Sequence, residues 1–166
     1  MSIKKALLVA CTALSLGFGA ANTAYAAMAD GVTADPVVLK GDVLVEKKVV
    51  ENGAETIKLV EPASVVPGDR LLFRTRYSNT GKSAVDAFVV TNPVPTAVTV
   101  AAPSTDALEV SVDGGKAFAR LGQLSLADGK GGMRRAVATD ITHIRWTIPQ
   151  IAPGASGSLE YHAVVR

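Results

Sequence analysis

The sequence predicts an all-β fold, a two-layer antiparallel β-sandwich of about seven to ten strands. Two observations carry this. Beyond the first 26 residues the apolar positions recur with a period of two, and no run of a dozen residues shows helical spacing. Turn-forming residues also interrupt the chain every eight to twelve positions, roughly the spacing of strands that reverse direction across a sandwich or barrel.

Taken in order, the first element is not a strand. Met1-Ser2-Ile3-Lys4-Lys5 is basic, residues 6–21 are uncharged and mostly apolar, and Ala24-Tyr25-Ala26 ends the run with small residues. That is the pattern of a secretory signal peptide over residues 1–26, with cleavage before Ala27. As a membrane anchor the segment is short of the roughly 20 apolar residues a span needs, and Gly17, Gly19 and Asn22 interrupt it. Leu8-Val9-Ala10-Cys11 resembles a lipid-attachment box, but Cys11 lies too close to Lys5, with apolar chain continuing beyond it.

Cleavage changes the charge. The chain has 17 Lys and Arg against 15 Asp and Glu, and Lys4 and Lys5 leave while no acid does, so the exported form is balanced. No basic run longer than Lys47-Lys48 or Arg134-Arg135 remains, so no nucleic-acid footprint is expected. Cys11, the only cysteine, leaves too, removing disulfide, thiol nucleophile and thiolate ligand together. A span after cleavage is not expected. Stability has to come from the core, and one domain of this length can build one.

Candidate strands cover residues 37–40, 43–50, 55–60, 70–78, 85–92, 98–101, 108–112, 116–120, 141–148 and 158–165. Asn52-Gly53 and Asp113-Gly114-Gly115 favour tight hairpins because they tolerate positive φ. Pro67-Gly68-Asp69, Asn79-Thr80-Gly81, Pro93-Val94-Pro95 and Pro153-Gly154 mark further turns. Alternation puts Leu71, Phe73, Thr75 and Tyr77 on one face, with Arg74 and Arg76 on the other. The expected core is Leu71, Phe73, Tyr77, Ile144, Trp146, Ile148, Leu159 and Tyr161, with Trp146 packed against Phe73 and Tyr77.

Four motifs in sequence carry a resemblance: Val66-Pro67-Gly68-Asp69, Tyr77-Ser78-Asn79-Thr80-Gly81, Val89-Val90-Thr91-Asn92-Pro93-Val94-Pro95 and Ile151-Ala152-Pro153-Gly154-Ala155-Ser156-Gly157. With Val110-Ser111-Val112-Asp113-Gly114-Gly115-Lys116-Ala117-Phe118 and Thr142-His143-Ile144-Arg145-Trp146, residues 62–166 resemble the "conserved repeat" domain of bacterial surface proteins, domain of unknown function eleven, in a short single-domain exported form. The resemblance implies an immunoglobulin-like sandwich in cell-surface or envelope proteins. Residues 27–61, expected to form N-terminal strands and a hairpin in one compact unit with that sandwich, lie outside the resemblance.

Candidate chemistry is sparse. Gly154-Ala155-Ser156-Gly157-Ser158 does not have the spacing of a nucleophile elbow, and Ala127-Asp128-Gly129-Lys130-Gly131-Gly132 lacks the phosphate-loop pattern and reads as a flexible insertion. His143 and His162 fall on solvent-facing positions of the last two strands, whose pairing the sequence leaves open; a metal pair, or His143 with Asp140, is the alternative to plain exposed residues. Asp113 and Asp128 lack an array for calcium. No catalytic, cofactor or metal residue is assigned.

The expected function is therefore a non-catalytic structural or adhesive module, exported to the periplasm or cell surface and acting through protein contacts. Its expected partners are other envelope proteins, or itself through edge strands. A periplasmic or secreted domain binding a glycan or small ligand is the alternative, and it needs exposed aromatics among Phe88, Phe118 and Tyr161. The hairpin turned at Asn52-Gly53 either folds back to cover its own sheet edge, with Glu46, Lys47 and Lys48 as edge blockers, or adds to a neighbour's sheet.

Overall fold

The structure, a computed structural model, describes residues 36–166, so the signal peptide expected over residues 1–26 lies outside the described residues. In chain order the strands are β1 (Val37–Glu51), β2 (Ala54–Val60), β3 (Arg70–Asn79), β4 (Val85–Pro93), β5 (Val98–Val100), β6 (Glu109–Ser111), β7 (Ser125–Ala127), β8 (Met133–Arg135), β9 (His143–Ile151) and β10 (Ser156–Val165). A single helical turn, α1 (Ser104–Ala107), precedes β6. All pairings are antiparallel. One sheet has five strands in the order β2-β1-β3-β10-β5, the facing sheet has three in the order β4-β9-β6, and β7 and β8 form a separate hairpin. The all-β sandwich is as expected.

Register explains the core. Val60, Val45, Leu71, Ala163 and Val100 stand opposite one another across all five strands, and the next inward rung is Val43, Phe73 and Tyr161. From the facing sheet, Val110 and Ile144 close on these rungs, both fully buried. Tyr161 is the centre of the aromatic packing: Phe73 stacks on it at 4.7 Å and Trp146 tilts against it at 6.2 Å.

The expected core is therefore only partly right. Leu71, Ile144 and Tyr161 are buried, but Phe73, Tyr77, Trp146, Ile148 and Leu159 are half-buried. For Phe73, Tyr77 and Leu159 of the wider sheet the reason is a mismatch in width, since three strands cannot roof five; Trp146 and Ile148 lie on the middle strand of the narrower sheet and the mismatch does not account for them. Trp146 meets Tyr161 instead of Tyr77, whose ring lies across Gly157; a Cβ there would stand 2.4 Å from the Tyr77 hydroxyl.

Other local expectations change too. Residues 37–40 and 43–50 are one strand of 15 residues, because Gly41 continues extended. Residues 116–120 form no strand beyond an isolated bridge from Ala119 to Val110. The chain around Asp128 is a hairpin turn between β7 and β8, not a free insertion.

One buried side chain ties the two sheets. Asn79, fully buried at the end of β3, donates from Nδ2 to the carbonyls of Ser83 and Ile151, each at 2.9 Å. Its Oδ1 accepts from the Gly81 N–H at 2.9 Å, and its own backbone bonds Ala155 and Gly154 at 2.9 Å each. Ile151 ends β9, so a residue of one sheet holds the last carbonyl of the other. Gly81 has no room for a side chain, since a Cβ would come within 2.6 Å of the Pro36 ring.

Replacing Asn79 by Ala orphans two carbonyls and an N–H, and should cost about 2–4 kcal/mol in chemical denaturation. Asn79→Asp, nearly isosteric, should cost a similar amount because it loses both donors; a variant as stable as the parent would contradict the tie. Tyr161→Ala should cost about 3–5 kcal/mol and Trp146→Ala less, following their burial. The reverse order would misplace the core.

Candidate interaction surface

The longest strand is also the least covered. β1 pairs with β3 along residues 37–45 and with β2 along residues 45–51, on opposite edges. Each partner therefore serves only half of it, and along residues 38–44 the edge turned away from β3 meets no described strand. Above Glu46 the geometry reverses: β3 begins at Arg70, so residues 47–58 continue as a two-stranded arm with no third described strand beside it. The arm extends beyond the sandwich by about 20 Å at the usual rise of a strand.

Sequence accounts for the arm locally. Its residues alternate, and Asn52 and Gly53 turn it with φ of 54° and 81°, both left-handed as a tight hairpin requires. Lys48 pairs with Glu55 at 3.3 Å and Lys58 with Glu51, all on the surface, where ion pairs contribute little. Apolar side chains stand out among these charges: Val50 is 71% exposed and Ile57 62%. The hairpin does fold back over an edge of its own sheet, since β1 pairs with β3 along residues 37–45, but β2 follows only the far half of β1 and leaves the other side of residues 38–44 without a described strand. Glu46 is no edge blocker, having a nearly buried carboxylate.

Two features flank the bare edge. On the inner side, Leu39, Gly41 and Val43 look into a cleft of about 510 Å³ bounded by Phe73, Asn92 and Pro93, where the narrower sheet stops short. On the outer side, Lys40, Arg74 and Arg76 line a groove of about 650 Å³ with the hydroxyl residues Thr80, Ser156 and Ser158. Asp42 sits among these cations, 2.7 Å from Arg74 and 3.2 Å from Arg76. The hydrogen bond from Arg74 holds the Asp42 carboxyl below its ordinary range, against a smaller opposing effect of burial.

Further along the same face, Glu46 accepts from Arg70 at 2.9 Å and bonds His162. Burial works to raise its pKa, but the bonds from Arg70 and His162 together outweigh it and leave it lowered.

The residues weighed for chemistry are dispersed. His143 lies on β9 and His162 on β10, and these strands belong to different sheets, so they do not pair. Both rings are half-buried; His143 packs beside Gly115 and contacts the Thr142 hydroxyl at 3.1 Å. Asp140 faces Arg134, whose guanidinium donates twice at 2.6 and 2.7 Å, and not His143. Asp113 accepts from the N–H groups of Lys116 and Ala117, and Asp128 from those of Lys130 and Gly132, so each carboxylate organises its own turn. Ser156 and Ser158 belong to β10. Among the described residues no three His, Cys, Asp or Glu side chains gather as a metal site, and no helix is long and apolar enough to cross a membrane.

Of the aromatics, Tyr161 is buried, Phe88 is half-buried and Phe118 lies under the Arg145 guanidinium at 4.4 Å. The bare edge escaped sequence reasoning because Gly41-Asp42 reads as a break between strands.

Comparison with protein-family models, curated proteins and solved structures gives no match in any of the three.

Acid should expose the role of Asp140. Its carboxyl is drawn down to about 2, first by the hydrogen bond from Arg134 and then by the Val137 N–H, against burial. A depressed folded-state pKa stabilises above the unfolded value, and that contribution is lost as the pH falls from about 4 towards 2. Asp140→Asn should therefore cost about 1 kcal/mol at neutral pH, discounted because Arg134 is half exposed, and should flatten the stability profile over that window. Parallel profiles for parent and variant would contradict this.

Proposed function

We propose that this protein is an exported, non-catalytic structural or adhesive module of the cell envelope or surface, working through protein contacts at its sheet edges. The observation that carries the reading is the bare edge of β1 continuing into an arm with exposed Val50 and Ile57. An unprotected edge offers backbone donors and acceptors in a row, and natural proteins either cover such an edge or use it. Main-chain hydrogen bonds then supply affinity, and alternate side chains supply register. The signal-peptide pattern and the resemblance of residues 62–166 to the bacterial surface repeat domain support the location.

The outer groove favours a second reading, a periplasmic or secreted domain that binds a glycan or small ligand. Lys40, Arg74 and Arg76 beside hydroxyl side chains suit a ligand with carboxylate and hydroxyl groups. The half-burial of Phe88 and the guanidinium over Phe118 limit the stacking surface a neutral sugar would use.

Fractionation of cells carrying a C-terminally tagged chain, with photo-cross-linkers at Val50 and Ile57, tests the first reading. The expected result is a processed protein beginning at Ala27 in the envelope or periplasmic fraction, with protein adducts from both arm positions. A cytoplasmic protein, or arm positions that capture nothing in intact cells, would overturn it. Calorimetric binding of an acidic oligosaccharide that is lost in Arg76→Ala would favour the second reading.

A further inference from the structure

The strand that borders the bare edge is complementary to itself. Residues 37–45 read Val-Val-Leu-Lys-Gly-Asp-Val-Leu-Val, three apolar residues on each side of a lysine, a glycine and an aspartate. We propose that this edge is completed by the same edge of a second copy, β1 against β1, antiparallel about a two-fold axis that passes between the two Gly41 residues.

The axis stands normal to the sheet, so outward residues stay outward in both copies. Lys40 then faces the second copy's Asp42 on the outer side, while Leu39 faces Val43 on the inner side and Val38 faces Leu44. Each contact occurs twice, as an isologous interface requires. A shift of two residues in this register would set Lys40 against Lys40 or Asp42 against Asp42, so the charges choose the pairing.

The side chains involved are available. Leu39 and Val38 are 44% and 43% exposed, and Lys40 makes no ion pair with any described acid. Asp42 brings the charge that Lys40 lacks, although it already serves Arg74 and Arg76. Gly41 leaves open space where the two strands cross the axis.

Apart from β2, which is the outer edge of the arm, the other edges are defended. β5 and β6 have three residues each, and β4 is bent at Ala87, whose φ is 49°. No such break occurs in residues 38–44. At each end of the new pairing the second copy's Val37 meets Val60, which already stands opposite Val45, so the last β2 pair has to open. This inference rests on the edge-contact reading above and names its partner.

Cysteine cross-linking tests the register directly, in a Cys11→Ser background that leaves no other thiol. Directly opposed strand residues have Cα atoms about 4.5–5.5 Å apart, within disulfide reach. Gly41→Cys should therefore give covalent dimers under mild oxidation. Leu39→Cys should not, because its counterpart lies four residues away, about 13 Å. In sedimentation velocity the parent should dimerise with rising concentration, and Lys40→Glu should raise the dissociation constant about tenfold or more while leaving the melting temperature of the monomer unchanged. A parent that stays monomeric at every concentration, or a dimer indifferent to Lys40→Glu whose Gly41→Cys form does not cross-link, would overturn the proposal. Arm adducts to a different envelope protein from a strictly monomeric chain would overturn the second-copy pairing and leave the edge-contact function standing.

Discussion

The buried amide of Asn79 holds the sandwich closed. A two-sheet domain without disulfides keeps its layers together mainly by apolar contact, which is strong but indifferent to small slides. Hydrogen bonds from one side chain to the Ile151 and Ser83 carbonyls add direction to that contact. They fix where the end of β9 lies relative to β3, and the backbone bonds to Gly154 and Ala155 launch β10 back along β3. Tyr161 is placed by that return, and the aromatic stack on it follows. A buried amide is costly unless every group is satisfied, and here each has a partner.

Unequal layers set the rest. Because the narrower sheet covers only part of the wider one, burial declines along the rung from Tyr161 to Phe73 and Val43, and Leu39 is left 44% exposed although it points inward, while Val45 further along β1 stays in the core. A larger core would have needed another strand beside β4. Among the described residues its place is open on the side where β1 also lacks a neighbour along residues 38–44, so apolar side chains and unpaired backbone are exposed together. The proposed contact edge and the incomplete packing thus arise from the same shortage of strands.

Much of the fold was legible. Leu71, Ile144 and Tyr161 declare their burial through alternation, and Asn52-Gly53 announces its turn. Partner choice was not legible, because a period of two tells a strand which faces it has but not which sheet it joins. That is why the pairing of β9 and β10, adjacent in sequence, stays open to sequence reasoning, and the two lie in different layers. β7 and β8 carried no alternation to read: only Leu126 among them is even half-buried. The residues around Asp113 looked like a symmetric hairpin, yet its carboxylate captures the N–H groups of Lys116 and Ala117 and bends the chain away from a second strand. The surface proposed for contact was hidden by one glycine, since Gly41 looks like punctuation in a sequence and is continuous strand in space.

The account describes a body locked at Asn79 with one edge left for another chain, and amide hydrogen exchange followed at two protein concentrations tests both halves at once. It predicts that the Asn79 and Gly154 amides exchange slowly at either concentration. The amides of residues 38–44 that point away from β3 should exchange fast when dilute and become protected when concentrated. Protection of those edge amides in dilute protein, or an Asn79 amide as labile as the edge, would contradict it.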